Sequence, residues 1–211
     1  VPLSRFYSSN YMKLPNPYKR YQVGTVFRRE KSSNGRWKSF EQCDCDIVGK
    51  FDIKQANSEL INVIGSTLIS CGLKKSDFAI SVSNRKIIQG LMDQLKIVDE
   101  KQKKIVLKSI DKVDKKGFGL KGVEELLKKE RRDASGAVTK GANLSDSQAK
   151  EIIDFLKIKD LKDLSKKIDN PLTREGIKEL EDLFQILNYG DYANLVKFDP
   201  KICRGLDIYT G

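Results

Sequence analysis

Four side chains that could bind a polar substrate recur at every second position of one short segment. They are Phe40, Gln42, Asp44 and Asp46. Alternate side chains of a β-strand point to the same face, so an aromatic ring, an amide and two carboxylates would share one face. An unpaired carboxylate packed against an apolar core loses much of its favourable hydration energy. We therefore expect this polar row to line a cavity.

Two arginines, Arg28 and Arg36, precede the row. Their guanidinium groups are planar and can donate two parallel hydrogen bonds to phosphate oxygens. Considered one at a time, these residues have simpler explanations, since the arginines could be surface cations, Phe40 a core aromatic and Asp46 a turn residue. Their placement together favours a binding site.

The chain contains no histidine. This excludes Ser-His-Asp and Cys-His nucleophiles as well as the usual His-containing zinc sites. Cys43 and Cys45 face away from the polar row, and two further soft ligands at useful spacing are missing, so we predict small core residues and no metal site. Any catalysis must use arginines, carboxylates, amides and groups of the substrate.

A β-hairpin would position the polar row. Residues 22–28 and 39–48 are rich in Val, Ile, Phe and Cys and predict two antiparallel strands. Residues 30–36 carry the charges, serines and glycine that are typical of a connector. Arg28 would then stand at the base of the hairpin and Arg36 at its tip.

The sequence after the hairpin predicts helices around a few short strands. Apolar residues at helical spacing predict a helix over 55–73, with Gly72 as a left-handed C-cap. Residues 78–83 predict a half-buried strand, and residues 86–95 predict a short helix. β character returns at 195–198.

Residues 98–190 predict a helical region. The apolar stripes are helical in period, and Ser145 with Gln148 forms a capping-box pattern at the start of one helix. Residues 173–188 predict a further helix. Residues 132–144, with the sequence RDASGAVTKGANL, predict a flexible loop.

Positive charge is concentrated in two segments of this 211-residue chain, whose formal net charge is +11. Residues 1–50 contain ten Lys and Arg residues against four acidic residues, and residues 101–132 contain twelve against five. A polyanion partner, or ATP for the first segment, would explain this clustering. Solvated Lys-rich helix faces explain it equally well.

The composition indicates a soluble cytoplasmic protein. No run approaches the roughly 18 apolar residues that a membrane span requires, and no signal peptide is visible. The four cysteines and the mean hydropathy of -0.48 fit a reduced intracellular protein. The absence of an initiator Met and the motif-like sequence at both ends indicate a fragment.

Three segments resemble the histidyl-tRNA synthetases, a family of class II aminoacyl-tRNA synthetases. Residues 27–46, with FRRE, a loop, GRW and FEQCDCD, resemble motif 2 of the class. Residues 204–211, RGLDIYTG, resemble the histidine-specific signature, and residues 83–88, SNRKII, resemble the family's strand-to-helix junction. The phrase FEQCDCDIVGKFD is most similar to the eukaryotic cytosolic branch.

The resemblance implies an α+β fold in which an antiparallel-sheet class II catalytic core carries an all-helical insertion domain. The first part of the core would comprise residues 1–97, the insertion domain 98–190, and the second part of the core 191–211. The insertion of relatives approaches the tRNA acceptor stem, and the positive charge of 101–132 is compatible with phosphate contacts.

The resemblance also implies a reaction. Histidine is activated by ATP to histidyl-adenylate, with Mg²⁺ on the ATP phosphates, and is then transferred to tRNA(His). Arg28 and Arg204 would be the catalytic residues, because they match the family's arginines beside the α-phosphate. The residues expected to bind ATP are Arg28, Glu30, Arg36 and Phe40. The residues expected to bind histidine are Arg28, Gln42, Asp46, Arg204, Ile208 and Tyr209.

The family's dimer element, third class motif and anticodon-binding domain would lie outside residues 1–211. We therefore expect a full-length homodimer without a membrane partner, and an inactive isolated fragment. Lys38, Ser39 and Ile208 depart from the family's usual residues, which affects the hairpin tip and the shape of the histidine pocket. The alternative is a non-catalytic regulatory or tRNA-binding module of the same ancestry, and the complete set of site residues favours the enzyme.

Overall fold

A computed structural model describes residues 2–29, 37–115, 117–132 and 138–203. The chain divides into two compact units, Val1–Val63 and Ile64–Gly211. The described residues form an α+β fold of α-helices and two-stranded sheets. No helix among them combines the length and the apolar character needed to cross a membrane.

The first unit contains the predicted hairpin. Strand β1 (Tyr18–Phe27) pairs antiparallel with β2 (Ser39–Val48), from Tyr18 opposite Val48 to Phe27 opposite Ser39. β2 has the predicted bounds, whereas β1 begins at Tyr18, four residues earlier than the predicted start at 22. Helix α1 (Pro2–Asn10) lies against the start of β1, because the rings of Phe6 and Tyr7 lie 6.3 and 6.2 Å from that of Tyr18.

Helix α2 (Ile53–Ser70) follows the hairpin; it begins two residues earlier and ends three residues earlier than the predicted 55–73, and Gly72 follows its end as predicted. The backbone of Gly72 has a φ of +93°, in the left-handed region that favours glycine. Its N–H donates to the Ile69 carbonyl, and the Leu73 N–H donates to the Leu68 carbonyl, which satisfies two carbonyls of the last turn. The boundary between the two units falls within this helix.

The second unit is mainly helical, as predicted for residues 98–190. Asn84, Ser145 and Asn170 each cap the start of a helix, and the Ser145–Gln148 capping box is present. The last long helix begins at Pro171 rather than at 173, because Asn170 provides the cap and proline suits the first helical turn. After α2, the described elements of the second unit are β3 (Ile80–Val82), α3 (Arg85–Gln94), α4 (Glu100–Ile110), α5 (Gly119–Lys128), β4 (Arg131–Arg132), β5 (Val138–Thr139), α6 (Asp146–Phe155), α7 (Leu161–Lys167), α8 (Pro171–Leu187), a 3₁₀ turn (Ala193–Leu195) and β6 (Val196–Phe198).

One apolar core joins these helices to the β3–β6 pair. β3 and β6 are parallel, and the Asp199 N–H continues their ladder by donating to the Val82 carbonyl at 3.0 Å. Helices α3 and α8 cross closely, because Gly90 lies against Thr173 where a Cβ would collide. The core thus extends from Ile87 to Cys203. The division at 97 and 190 into core and insertion stays a prediction.

The predicted flexible loop at 132–144 is wrong for residues 138–144. β4 and β5 pair antiparallel, so a short ladder interrupts the otherwise helical region. The N–H groups of Ala142 and Leu144 donate to carbonyls of α5, and both side chains are buried. Gly141 lies against the backbone of Lys129, where any side chain would collide. The small residues that resemble a loop therefore permit close packing.

Candidate functional site

The side chains of β2 alternate between two faces, as predicted, and these two faces differ in exposure. Phe40, Gln42, Asp44 and Asp46 are partly buried, whereas the intervening Glu41, Cys43 and Cys45 are exposed. We call the face that carries the four partly buried side chains the polar face, and the other the outer face. On β1 the polar face is formed by Arg20, Gln22, Gly24 and Val26, which lie directly opposite Asp46, Asp44, Gln42 and Phe40.

A chain of hydrogen bonds runs along the polar face. Arg28 Nη2 donates to Gln42 Oε1 at 2.8 Å, and Gln42 Nε2 donates to Asp44 Oδ1 at 2.6 Å. The amide therefore bridges a cation and a carboxylate, and its orientation follows from these two partners. Charge-assisted bonds of this kind are stronger than bonds between neutral groups. These bonds therefore hold the side chains of the row in relation to one another.

Arg28 also lies over an aromatic ring. Its Cζ is 5.1 Å from the ring centroid of Phe40, which is within the range of a cation–π contact. The backbone N–H of Arg28 donates to the Lys38 carbonyl at 2.7 Å, which extends the ladder one step beyond β1. The structure thus brings Arg28, Phe40 and Gln42 together at one end of the polar face, as the sequence predicts.

Asp46, at the other end of the row, is paired with an arginine that the sequence reasoning missed. Arg20 Nη1 donates to Asp46 Oδ2 at 2.9 Å, and Arg20 Nη2 donates to Gln22 Oε1. Arg20 is missing from the predicted β1, which began at residue 22. If the predicted strand had begun two residues earlier, at Arg20, its pairing with β2 would have placed Arg20 opposite Asp46.

Gly24 leaves the centre of the polar face open. It lies opposite Gln42, and a Cβ added to it would meet no atom within 4 Å. An alanine side chain would therefore fit at this position, and steric crowding does not explain the glycine. The missing side chain leaves free space on β1 beside the Gln42 amide, between the side chains of Gln22 and Val26.

The comparisons with known proteins agree on one family. The family model described as histidyl-tRNA synthetase matches residues 3–211. The chain belongs to the histidyl-tRNA synthetase family. A histidine–tRNA ligase from Pelagibacter ubique is 60% identical over 210 residues, which cover 100% of this chain and 45% of the relative. A histidine–tRNA ligase from Ruegeria pomeroyi is 38% identical and is covered to 44%. The chain thus spans less than half the length of these curated relatives.

Solved structures of the family have the same fold. The histidyl-tRNA synthetase from Nostoc sp. PCC 7120 superposes with a TM-score of 0.76 at 28% identity, covering 100% of this chain and 46% of that one. A Bacillus halodurans protein described as an ATP phosphoribosyltransferase regulatory subunit/histidyl-tRNA synthetase superposes with a TM-score of 0.72 at 17% identity and shares the fold. The α+β class II synthetase fold predicted from the sequence is confirmed. The relatives named here are bacterial, so they give the predicted eukaryotic branch no support.

Five predicted site residues of this synthetase chain lie outside the described residues, namely Glu30, Arg36, Arg204, Ile208 and Tyr209. Arg28, Phe40, Gln42 and Asp46 share the polar face. Lys38 and Ser39, which depart from the family pattern, continue the hairpin backbone, since Ser39 pairs with Phe27. Among the described residues there is no group of three or more potential metal ligands.

The prediction that Cys43 and Cys45 are core residues is wrong. Both side chains are exposed on the outer face, beside Val23 and Tyr21, which are 66% and 78% exposed. Alternation shows which residues share a face but not which face is covered. The pKa of the Cys45 thiol is raised by partial loss of hydration, and next by Cys43 and the neighbouring aspartates. Burial raises the pKa of Cys203 to about 12, so this thiol remains protonated.

Proposed function

We propose that the full-length protein is a histidine–tRNA ligase, which activates histidine with ATP and transfers it to tRNA(His). The observation that carries this proposal is the hydrogen-bonded row of Arg28, Gln42 and Asp44 beside the Arg20–Asp46 pair. Membership of the histidyl-tRNA synthetase family supports the same reaction. The row offers cations, an amide and carboxylates at fixed positions, which suits a zwitterionic amino acid with an imidazole side chain.

The first step joins histidine to the adenosine monophosphate part of ATP. A carboxylate oxygen of histidine attacks the α-phosphorus, the bond to the bridging oxygen breaks, and pyrophosphate leaves. In the second step a ribose hydroxyl of tRNA attacks the carbonyl carbon of the adenylate, and AMP leaves. The nucleophile of the activation step is a substrate group, so the absence of histidine from the chain is no obstacle.

Arg28 stabilises the charge that develops during activation. Its guanidinium is exposed at the end of the row and held by Gln42 and Phe40, so it can contact the histidine carboxylate and the α-phosphate with little reorganisation. Arg204 is proposed to act from the other side of the phosphate. A preorganised donor of this kind is worth roughly a hundredfold or more in turnover.

The row also distinguishes the parts of histidine. We propose that Gln42 binds the polar head of histidine and that Asp46 accepts a hydrogen bond from the imidazole N–H, with Ile208 and Tyr209 completing the pocket. Asp46 Oδ2 accepts the bond from Arg20, so the proposed acceptor for the imidazole is the other carboxylate oxygen, Oδ1. An apolar amino acid would leave this carboxylate without a partner, which penalises its binding strongly.

ATP is proposed to bind next to histidine. Phe40 would stack on the adenine, Glu30 would accept from its exocyclic amine, and Arg36 would contact the outer phosphates. Mg²⁺ would accompany ATP on these phosphates. The position of Phe40 supports this placement, because its ring is only partly buried and lies beside the exposed Arg28, and a base can stack only on an accessible ring.

The proposal extends to the partners and location of the whole protein. The positive charge of residues 101–132 supports contact with tRNA phosphates, and the full-length protein is proposed to act as a cytoplasmic homodimer. All four cysteines are free, which supports a reducing compartment.

Histidine-dependent exchange of labelled pyrophosphate into ATP tests the activation step. The full-length protein that carries residues 1–211 should catalyse the exchange, and Arg28→Met should lower its rate roughly a hundredfold. Lys19→Met is the matched control, because Lys19 lies on β1 but pairs with Glu59 at 2.6 Å away from the polar face. Tight tRNA binding without histidine-dependent exchange would overturn the ligase and favour a binding module.

A further inference from the structure

Arg20 is a charged side chain on the polar face that the family resemblance does not assign. Only 16% of its side chain is exposed, and 30% of that of its partner Asp46. Both arms of the guanidinium are used, since Nη1 donates to Asp46 Oδ2 and Nη2 to Gln22 Oε1. A side chain held at two points keeps one orientation, so its partner carboxylate does too.

The pairing leaves the two carboxylate oxygens of Asp46 with different roles. Oδ2 accepts the bond from Arg20 at 2.9 Å, which restricts rotation of the carboxylate. Oδ1 remains available to a substrate donor. We propose that Arg20 is a positioning residue for histidine: it fixes Asp46 so that Oδ1 meets the imidazole N–H. This inference rests on the proposed function, because it assigns Asp46 to the imidazole.

Arg20 also sets the charge of the row. The charged side chains of the polar face on the two paired strands, with Arg28 at its end, are Arg20, Arg28, Asp44 and Asp46. Two cations and two anions balance on this face, and Arg20 compensates the charge of Asp46 directly. Without Arg20 the face would carry one excess negative charge, which attracts an imidazolium. Arg20 therefore lowers the preference of this face for the imidazolium, in addition to orienting Asp46.

A purely structural role makes a different prediction. If Arg20 only joins the two strands, its loss lowers the stability of the hairpin and leaves the histidine affinity and its pH dependence unchanged. Lys19 provides the comparison, since it is the preceding residue of β1 and forms an ion pair with Glu59 away from the polar face. Lys19→Met removes a cation and an ion pair from the same strand.

Pyrophosphate exchange by the full-length protein measures the KM for histidine and the KM for ATP. Arg20→Met should raise the KM for histidine roughly tenfold and leave the KM for ATP within about twofold, because one charge-assisted hydrogen bond is lost. Arg20→Lys keeps the charge and one bond to Asp46, so it should raise the KM for histidine only about threefold. Lys19→Met should leave both constants unchanged. If Arg20→Met does not fold, the KM for histidine of Arg20→Lys, compared with that of Lys19→Met, provides the test.

The pH profile gives a readout that a structural role would not move. Free imidazole becomes protonated as the pH falls below about 6.5. Over this range the KM for histidine of Arg20→Met should fall relative to that of the unsubstituted protein, because the face then carries one excess negative charge that attracts the imidazolium. Equal KM values and parallel profiles for Arg20→Met and Lys19→Met would overturn the positioning role. Absence of exchange in the unsubstituted protein would overturn the proposed function itself.

Discussion

The hairpin and the helical core use polar side chains in opposite ways. In the second unit, apolar side chains such as Phe155 and Leu127 are fully buried, and polar residues such as Ser145 and Asn170 cap helix ends. On the polar face of the hairpin, charged residues are paired with one another along the strands. This contrast supports the proposal that the hairpin binds the substrate, whereas the core provides stability.

The largest effect on stability is expected in the core. Phe155 is 1% exposed within the core of the second unit. Phe155→Ala should lower the free energy of unfolding by about 3–5 kcal/mol, because it removes a buried ring and leaves a cavity. Urea unfolding of the full-length protein measures the loss, and Phe155→Leu should cost less. An unchanged unfolding midpoint would contradict the assignment of this ring to the core.

Gln42→Leu tests whether a polar side chain of the hairpin affects substrate binding more than stability. It leaves Arg28 and Asp44 without their bridging amide, so the KM for histidine should rise roughly ten- to hundredfold. The unfolding midpoint should change little, because the side chain is only partly buried. Cys43→Ser on the outer face is the control and should alter neither quantity. Equal effects of both substitutions would remove the distinction between the two faces.

Ser145→Ala tests whether a polar residue of the second unit affects stability alone. Ser145 Oγ accepts from the Gln148 N–H, and the Gln148 side chain accepts from the Ser145 N–H. Losing the serine hydroxyl should cost about 1 kcal/mol of stability. Histidine and ATP kinetics should remain unchanged. Asp160→Ala, which removes the cap of α7, should behave in the same way.

Gly24→Ala should separate stability from binding within a single substitution. Glycine inside a strand costs roughly 0.5–1 kcal/mol relative to alanine, and the added Cβ meets no atom within 4 Å. The variant should therefore unfold at a slightly higher urea concentration. The same methyl group fills the open space opposite Gln42, so the KM for histidine should rise several-fold. An unchanged KM would show that this space is not used by the substrate.

Local sequence signals predicted much of the fold. The capping box at Ser145 and the C-cap at Gly72 were readable because each depends on residues a few positions apart. The alternation in β2 predicted which side chains share the polar face for the same reason. These patterns act through short-range geometry, so no knowledge of tertiary contacts was needed.

The features that the sequence did not predict depend on pairing and packing between distant segments. Arg20 joins the polar face only through the register that places it opposite Asp46. The exposure of Cys43 and Cys45 depends on what covers each face of the hairpin. Gly141 suggests a mobile loop until its contact with Lys129 is known. Each error arose where a contact between distant segments decides the outcome.

The most direct test is a crystal structure of the full-length protein with histidine and ATP or their adenylate. We expect the imidazole to lie within hydrogen-bonding distance of Asp46, with Arg20 still paired to that carboxylate, and the α-phosphate to lie beside Arg28. Histidine bound elsewhere, or Gln42 and Asp46 without contact to any ligand, would contradict the assignment of the polar face as the substrate site.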